Sequence, residues 1–221
     1  MARHSPASRN VRRLAGAAAF FVLGGTTAAA LSLAKQPSHA EAAVRAPAAA
    51  PVGADRIAVP AAAVRQALAD GEIDRPIKTV LNIPGHLSYG DYRWDDKGVP
   101  AGPLWIRVDP KAQLLSVFRA GHEIGTAVIL YGANDVPTPA GKFPILAKMK
   151  DHRSATYDAP MPYTLRLTPD GVSIHASEVR WGYATHGCIG VPMGFAAKLF
   201  AAASVGDEVL VIDGDRSATT A

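Results

Sequence analysis

The sequence predicts a mainly β fold, a β-sandwich or set of mixed sheets with one short helix in the second half of the chain. Apolar and polar residues alternate in successive short segments after Pro103, turn residues separate these segments, and a single stretch there has helical spacing. With 221 residues, of which 48% are hydrophobic and 19% charged, the chain is long enough to bury a core. Wholesale disorder is therefore excluded.

The predicted strands follow one another at short intervals, as in a β-meander. They span residues 104–108, 115–118, 123–131, 142–149, 163–167, 172–175 and 208–212. Thr168-Pro169-Asp170-Gly171 predicts a hairpin turn, because proline presets φ and glycine accepts a positive φ. The helix is predicted from about Pro192 to Ser204, since proline is favoured in a first helical turn and apolar residues recur along one face.

The composition of the sequence indicates separate segments before and after this β region. Residues 41–70 contain 13 Ala and 3 Pro without an aromatic residue, a composition that buries little surface and is typical of a linker. A short helix is predicted within it over residues 61–69. We predict a linker at residues 41–71 and a lead-in that wraps the domain at residues 72–102. The β domain is predicted at residues 103–214, and a disordered tail at residues 215–221.

The positive charge of the chain lies in its first forty residues. The formal net charge is +4, yet residues 1–40 hold five basic and no acidic side chains, whereas residues 41–221 hold 18 basic and 19 acidic ones. Binding to nucleic acid needs a positive field on the folded part of the chain to attract phosphates. The charge distribution therefore predicts no nucleic-acid partner.

Residues 1–40 have the pattern of an export signal. Four arginines precede 21 uncharged residues at 14–34, and Ser38-His39-Ala40 places small residues at the positions that a signal peptidase reads. An anchor needs about 20 apolar residues, and this stretch just reaches that length. We expect the rest of the chain to function in the periplasm or cell envelope, either released by cleavage or held by an N-terminal membrane anchor.

The chain has one cysteine, Cys188, which cannot form an intramolecular disulfide in an oxidising compartment. Cys188 is either buried in the core as a small hydrophobic residue or has a chemical role as a thiol. A thiol with a pKa of about 8.5 is mostly protonated at neutral pH, and a nearby histidine can take its proton and form an ion pair. Two histidines are candidates, His186 two residues before Cys188 and His175 at the end of a predicted strand. We favour His175, because a base on a regular element is better positioned.

The surroundings of Cys188 also suit acyl chemistry. Gly187 lets backbone N–H groups approach a reacting carbonyl oxygen, and such donors stabilise an oxyanion. The helix predicted just beyond would bring its positive dipole end near the sulfur. Two other interpretations remain open: His175 is a core histidine, or the two histidines and the cysteine bind zinc or copper. His152 and Asp158 lie at no regular ligand spacing, so we predict no metal and no cofactor.

Several motifs together resemble the L,D-transpeptidase catalytic domain family, also called YkuD. Thr185-His186-Gly187-Cys188 resembles its Ser/Thr-x-Gly-Cys signature. Residues 105–118 resemble the opening hairpin of the family, and residues 137–143 resemble its Thr-Pro-x-Gly-x-Phe turn. Residues 171–175 resemble its histidine strand, and residues 206–211 resemble its final strand. The resemblance implies a β domain of this type over about residues 103–213.

The resemblance also implies roles for individual residues. Cys188 would be the nucleophile and His175 the general acid/base, oriented through the backbone carbonyl of Ala176. The N–H groups of Gly187 and Cys188 would form the oxyanion hole. Thr185 and His186 would line the pocket, and the weaker candidates for substrate contacts are Tyr163 and Trp181.

The implied activity is acyl transfer on peptidoglycan stem peptides. Cys188 would attack a donor tetrapeptide and release its terminal D-Ala, and an acceptor amine would then complete a 3→3 cross-link. Three alternatives stay open: another amine acceptor such as a lipoprotein or D-amino acid, water as acceptor in an L,D-carboxypeptidase, and a non-catalytic wall-binding module. The chain departs from the family in having Gly190 where many members carry Arg or Asn, and Ala176-Ser177 where they carry Gly-Thr. The missing arginine removes a candidate carboxylate anchor, so the acceptor is not determined.

Overall fold

Two β-sheets hold most of the regular structure in the computed structural model, which describes residues 55–133 and 135–213. The elements in chain order are β1 (Arg56–Ala58), α1 (Ala61–Ala69), β2 (Thr79–Leu81), β3 (Tyr92–Trp94), β4 (Leu104–Asp109), β5 (Leu114–Arg119), β6 (His122–Val128), β7 (Gly141–Pro144), β8 (Ala147–Met149), β9 (Thr164–Arg166), β10 (Ser173–Ala176), β11 (Ile189–Val191), α2 (Met193–Ala202) and β12 (Glu208–Val211). The predicted export signal and tail lie outside the described residues. Within the described ranges, no helix has the length and apolar character needed to cross a membrane.

The larger sheet has the strand order β1-β2-β6-β5-β4-β12-β7, with β3 also paired to β6. Strands β4, β5 and β6 form the predicted antiparallel meander, and β12 returns parallel to β4. The smaller sheet has the order β11-β10-β9-β8. The prediction of a mainly β fold, with a helix following Cys188, is confirmed.

The core lies around Phe195 of α2, whose side chain is fully buried. The rings of Tyr92 and Trp94 meet its ring edge-on, with centroids 5.9 and 5.6 Å away, a favourable geometry for aromatic pairs. Helix α2 packs against β3, β6 and β10. The helix therefore links the larger sheet to the strand that carries His175.

One predicted strand is two strands in the structure. Residues 142–149 were expected to be continuous, but β7 pairs with β12 in the larger sheet and β8 pairs with β9 in the smaller one. The backbone changes partners after Pro144: the N–H of Ile145 bonds to Asp207 and that of Leu146 bonds to Arg166. Apolar alternation reports which side of a strand is buried and not which strand pairs with it, so the pattern could not reveal this crossing.

The folded region also begins earlier than the predicted linker boundary at residue 71. Helix α1 coincides with the predicted segment 61–69, and its Val64 and Ala67 pack against a cluster of Ile73, Trp105 and Phe118. Strand β1 pairs with β2 at the edge of the larger sheet. Backbone pairing requires no large side chains, which is why an alanine-rich composition concealed this strand.

Candidate active site

The site is built on two adjacent parallel strands, β10 and β11. His175 lies opposite Gly190 in this pairing. Side chains alternate along a strand, so Ser177 shares the face of His175, and Cys188, just before β11, shares the face of Gly190. The spacing of paired strands and of residues along them puts the Cα atoms of His175 and Cys188 roughly 8 Å apart on one face.

This face opens into a cleft of about 860 Å³. Six residues singled out from the sequence line it, namely His175, Ala176, Thr185, His186, Gly187 and Cys188. The loop between β8 and β9 also lines the cleft, with residues that include His152 and Tyr157. The structure thus brings the predicted nucleophile, base and oxyanion-hole residues together in one cavity.

His175 is held by a backbone carbonyl. Its Nδ1 lies 2.9 Å from the carbonyl oxygen of Ala176, as the family resemblance implies. Because a carbonyl only accepts, Nδ1 carries the hydrogen and Nε2 keeps the lone pair. Burial lowers the pKa of His175 below its ordinary value, and the charge of His152 lowers it further against the opposing effect of the Ala176 bond. The imidazole is therefore neutral at neutral pH.

The thiol of Cys188 is half-buried, and its Sγ donates a hydrogen bond to the carbonyl oxygen of Gly171 at 3.9 Å. Burial raises the pKa of Cys188, and a bond with the backbone of Ser173 offsets this in part. Both shifts at the site favour uncharged groups, because burial disfavours each charged form. Burial therefore favours a resting thiol and neutral imidazole over the ion pair expected from the sequence.

The turn that carries Cys188 is fixed by two threonines. Thr185 Oγ1 donates to the carbonyl oxygen of Cys188 at 2.5 Å, and Thr138 Oγ1 lies 3.5 Å from the same oxygen. Thr138 Oγ1 also accepts the N–H of Gly132 at 2.9 Å. Gly187 within the turn has φ of 94°, a conformation that L side chains rarely adopt. These contacts set the direction of the peptide groups next to the sulfur.

His186 lines the cleft and contacts another of its lining residues. Its exposed ring stacks on Tyr157, with centroids 4.5 Å apart and planes 21° from parallel. His175 is held on a strand, whereas His186 contacts a loop. This difference favours His175 as the base.

The two weaker candidates for substrate contacts lie elsewhere. Tyr163 packs against Phe200 at a centroid distance of 5.7 Å. Trp181 is 80% exposed and lies 6.2 Å from the ring of Tyr89. Neither side chain lines the cleft.

The expected helix dipole does not act at the sulfur as predicted. Strand β11 intervenes between Cys188 and α2, which begins at Met193. A strand rises roughly 3.3 Å per residue, so these three residues carry the chain roughly 10 Å before the helix starts. A helix dipole is felt within about one turn of the terminus. The backbone N–H groups of the turn are the nearer donors.

Some residues of the site carried no functional assignment from the sequence. The hydroxyl of Ser177 lies 3.3 Å from His175 Nδ1, and strand alternation could have placed it there. Thr138 belongs to a motif that was recognised without a role for its hydroxyl. Tyr157 lies in an irregular loop, for which no periodic pattern exists. Within residues 55–133 and 135–213, no three His, Cys, Asp or Glu side chains are grouped so that they could hold a metal ion.

Comparison with known proteins gives one family. Residues 103–211 match the model of YkuD, the L,D-transpeptidase catalytic domain. None of the curated proteins shows significant similarity to the chain.

The solved structures that match part of this chain include L,D-transpeptidases. One from Mycobacterium smegmatis is 25% identical with a TM-score of 0.46, over 50% of this chain and 58% of that one. A mutant form of the Enterococcus faecium enzyme is 27% identical with a TM-score of 0.47, over 51% and 50%. Mycobacterium tuberculosis L,D-transpeptidase 1 is 28% identical with a TM-score of 0.44, over 50% and 62%. The chain thus spans between half and two thirds of these structures. Residues 103–211 belong to the YkuD family of L,D-transpeptidase catalytic domains.

Proposed function

We propose that the protein is a peptidoglycan L,D-transpeptidase that works through a thioester on Cys188. The observation that carries this proposal is that His175 on β10 and Cys188, just before the adjacent strand β11, line one cleft. The bond from His175 Nδ1 to Ala176 supports it, because this bond leaves Nε2 free to accept a proton. Membership of the domain in the YkuD family supports the choice of substrate.

The first half-reaction is acylation. Nε2 of His175 removes the proton of the Cys188 thiol as the sulfur attacks the carbonyl carbon at the L-centre of diaminopimelate in a donor tetrapeptide. The bond to the terminal D-Ala breaks, and His175 returns the proton to the departing amine. A thioester remains on the enzyme.

The second half-reaction transfers the acyl group. An amine of a second stem peptide attacks the thioester carbonyl and gives up a proton to His175. The C–S bond breaks and the sulfur regains a proton, which regenerates the thiol. The product is a 3→3 cross-link, and the overall reaction exchanges one amide bond for another.

The negative charge that develops on the carbonyl oxygen in both steps needs donors. We assign this role to the N–H groups of Gly187 and Cys188. The positive φ of Gly187 and the bonds that tie the Cys188 carbonyl to Thr185 and Thr138 support a fixed orientation for these donors. A preorganised donor of this kind contributes about 3 kcal/mol to the transition state.

The reaction requires access to the cell wall. We propose that residues 1–40 direct the chain out of the cytoplasm, either as a cleaved signal or as an anchor. The support is the order of basic, uncharged and small residues in that segment. Fractionation of cells expressing the full chain, with N-terminal sequencing of the envelope form, tests the export and separates cleavage from anchoring.

A carbapenem tests the nucleophile. We expect the purified protein to gain the mass of one carbapenem in intact mass spectrometry, and Cys188→Ala to gain none. Ser204→Ala is the control, since Ser204 is exposed after α2 and does not line the cleft, and it should retain the adduct. An adduct on Cys188→Ala would contradict the assignment of the nucleophile.

Purified tetrapeptide muropeptides test the reaction itself. Chromatography should reveal dimers with 3→3 links that are absent with Cys188→Ala. Accumulation of tripeptides without dimers would make the protein an L,D-carboxypeptidase. Retention on sacculi by both the parent and Cys188→Ala, without turnover by either, would make it a wall-binding module.

A further inference from the structure

The hydroxyl of Ser177 is a second group at the Nδ1 side of His175. Ser177 Oγ lies 3.3 Å from Nδ1, in addition to the Ala176 carbonyl at 2.9 Å. Because Nδ1 carries the hydrogen, the hydroxyl oxygen is an acceptor for it. The backbone N–H of Ser177 donates to Val191 at 2.8 Å, which holds this residue on the neighbouring strand.

Gly190 supplies the space in which this hydroxyl sits. A Cβ on Gly190 would lie 2.8 Å from Ser177 Oγ and 2.9 Å from Ser177 Cβ, closer than real Cβ contacts. It would also lie 3.3 Å from the Cβ of Leu130. The backbone of Gly190 cannot move aside, because its N–H and carbonyl both bond to Leu130 at 2.9 Å. Its φ is not in the left-handed region, so space and not backbone conformation requires glycine here.

We infer that Ser177 is a positioning residue for the general base and that Gly190 is the position that admits it. The Nδ1–H of His175 is shared between the Ala176 carbonyl and the Ser177 hydroxyl. Two acceptors hold the hydrogen on Nδ1, keep the lone pair on Nε2 and favour the imidazolium that forms when His175 takes the thiol proton. This inference rests on the proposed function for its catalytic meaning.

The other ionisable groups around His175 do not supply this contact. Those that share its cleft are Cys188, His152, His186, Arg166, Asp170, Glu178, Tyr157 and Tyr183. His152 lowers the pKa of His175 through its charge, while Arg166 bonds to the carbonyls of Thr168 and Pro169. Among the described residues, the Nδ1 of His175 has Ala176 and Ser177 as its hydrogen-bond partners.

Nuclear magnetic resonance of the histidine rings tests the inference without relying on turnover. The resonances of His175 are identified by their loss in His175→Gln. In Ser177→Ala we expect the pKa of His175 to fall and the fraction with hydrogen on Nδ1 to decrease, because one acceptor is gone. Ser204→Ala makes the same change at an exposed serine after α2 and should leave both unchanged. Unchanged titration and tautomer in Ser177→Ala would overturn the inference.

The rate of acylation by a carbapenem, measured as a function of pH, tests the role of Ser177 in the reaction. The loss of one hydrogen bond predicts a rate on the neutral plateau about threefold to tenfold lower in Ser177→Ala, with the acidic limb moved to lower pH. A protein that binds no carbapenem would refute the proposed function, while the resonance experiment would still decide the contact. If the pH profile of acylation in Ser177→Ala has the same plateau rate and the same acidic limb as the parent protein, the positioning role is refuted.

A double substitution separates space from hydrogen bonding. Gly190→Ala alone should lower the melting temperature and displace Ser177 from His175. Combined with Ser177→Gly, which removes the two atoms closer than 3 Å, Gly190→Ala should lower the melting temperature less than it does alone, while His175 keeps its altered titration. If Gly190→Ala alone has the stability and His175 titration of the parent protein, the assignment of Gly190 is wrong.

Discussion

The side chain of Thr185 holds the carbonyl oxygen of Cys188 through a hydrogen bond of 2.5 Å. The backbone of Thr185 is itself tied down, since its N–H bonds to Tyr131 at 3.0 Å and its carbonyl accepts from Ala133 at 3.1 Å. The peptide that follows the nucleophile is thus connected to a neighbouring loop through one threonine. A residue proposed from the sequence as a pocket wall also determines the shape of the turn.

Thr185→Val should therefore slow acylation while leaving a similar volume in the cleft. It removes the hydroxyl and leaves the Cys188 carbonyl with only the longer contact to Thr138, so we expect about a tenfold slower carbapenem acylation. Stopped-flow measurement of the acylation rate checks this. Thr185→Ser keeps the hydroxyl and should react at close to the parental rate, and equal rates for the valine and serine variants would exclude the role of this bond.

Gly187→Ala should strain the turn without any steric clash. The nearest atoms to an added Cβ are 3.7 Å away, so the expected loss of about 1 to 2 kcal/mol in the free energy of unfolding comes from φ alone. Acylation should fall as well, because the strained turn re-aims its N–H groups.

Gly206 provides the matched control for this substitution. It has φ of 93° against 94° for Gly187, and nothing lies within 4 Å of an added Cβ. Gly206→Ala should lose a similar free energy of unfolding in urea titration and keep the parental acylation rate. If both variants acylate at the parental rate, the geometry of the Gly187 turn is irrelevant to the reaction.

The pH dependence of acylation follows from the neutral resting pair. Burial lowers the pKa of His175, so the base stays unprotonated until the pH falls below its ordinary value of about 6.5. The rate should rise with pH through an acidic limb below about 6.5 and then reach a plateau. Burial raises the pKa of Cys188, so ultraviolet absorbance of a thiolate should be absent at neutral pH. A thiolate signal at pH 7 that disappears in Cys188→Ala would mean that an ion pair is present after all.

Arg56→Ala should destabilise the edge of the larger sheet. The Arg56 side chain is 1% exposed and donates to the backbone carbonyls of Glu123 and Asp95. Its removal leaves both partly buried acceptors without this donor, so we expect a loss of about 2 to 3 kcal/mol in the free energy of unfolding, measured by urea titration. Arg65→Ala, at an exposed position of α1, should change stability little. Equal stability of the two variants would mean that β1 contributes nothing to the folded unit.

The departure of the chain from its family at position 190 has a spatial reason. A side chain there would collide with Ser177 and crowd Leu130, so this chain has no room for the Arg or Asn of many members. The residues that follow His175 and the residue opposite it are therefore linked. The sequence alone does not show this link, because it does not reveal that β10 pairs with β11.

The class of the fold, the meander, the hairpin before His175 and the helix after Cys188 could all be predicted from sequence patterns. The sequence also selected Cys188 and His175, since a lone thiol near histidines is a chemical signal that needs no coordinates. Local patterns suffice for these features, because alternation, turn residues and helical spacing act between near neighbours in the chain. Three further features became visible in the fold: residues 142–149 cross between sheets, β1 joins the sheet edge, and Ser177 occupies the space left by Gly190. Each of these depends on which strands lie side by side, and pairing between distant segments is set by the packing of the whole fold.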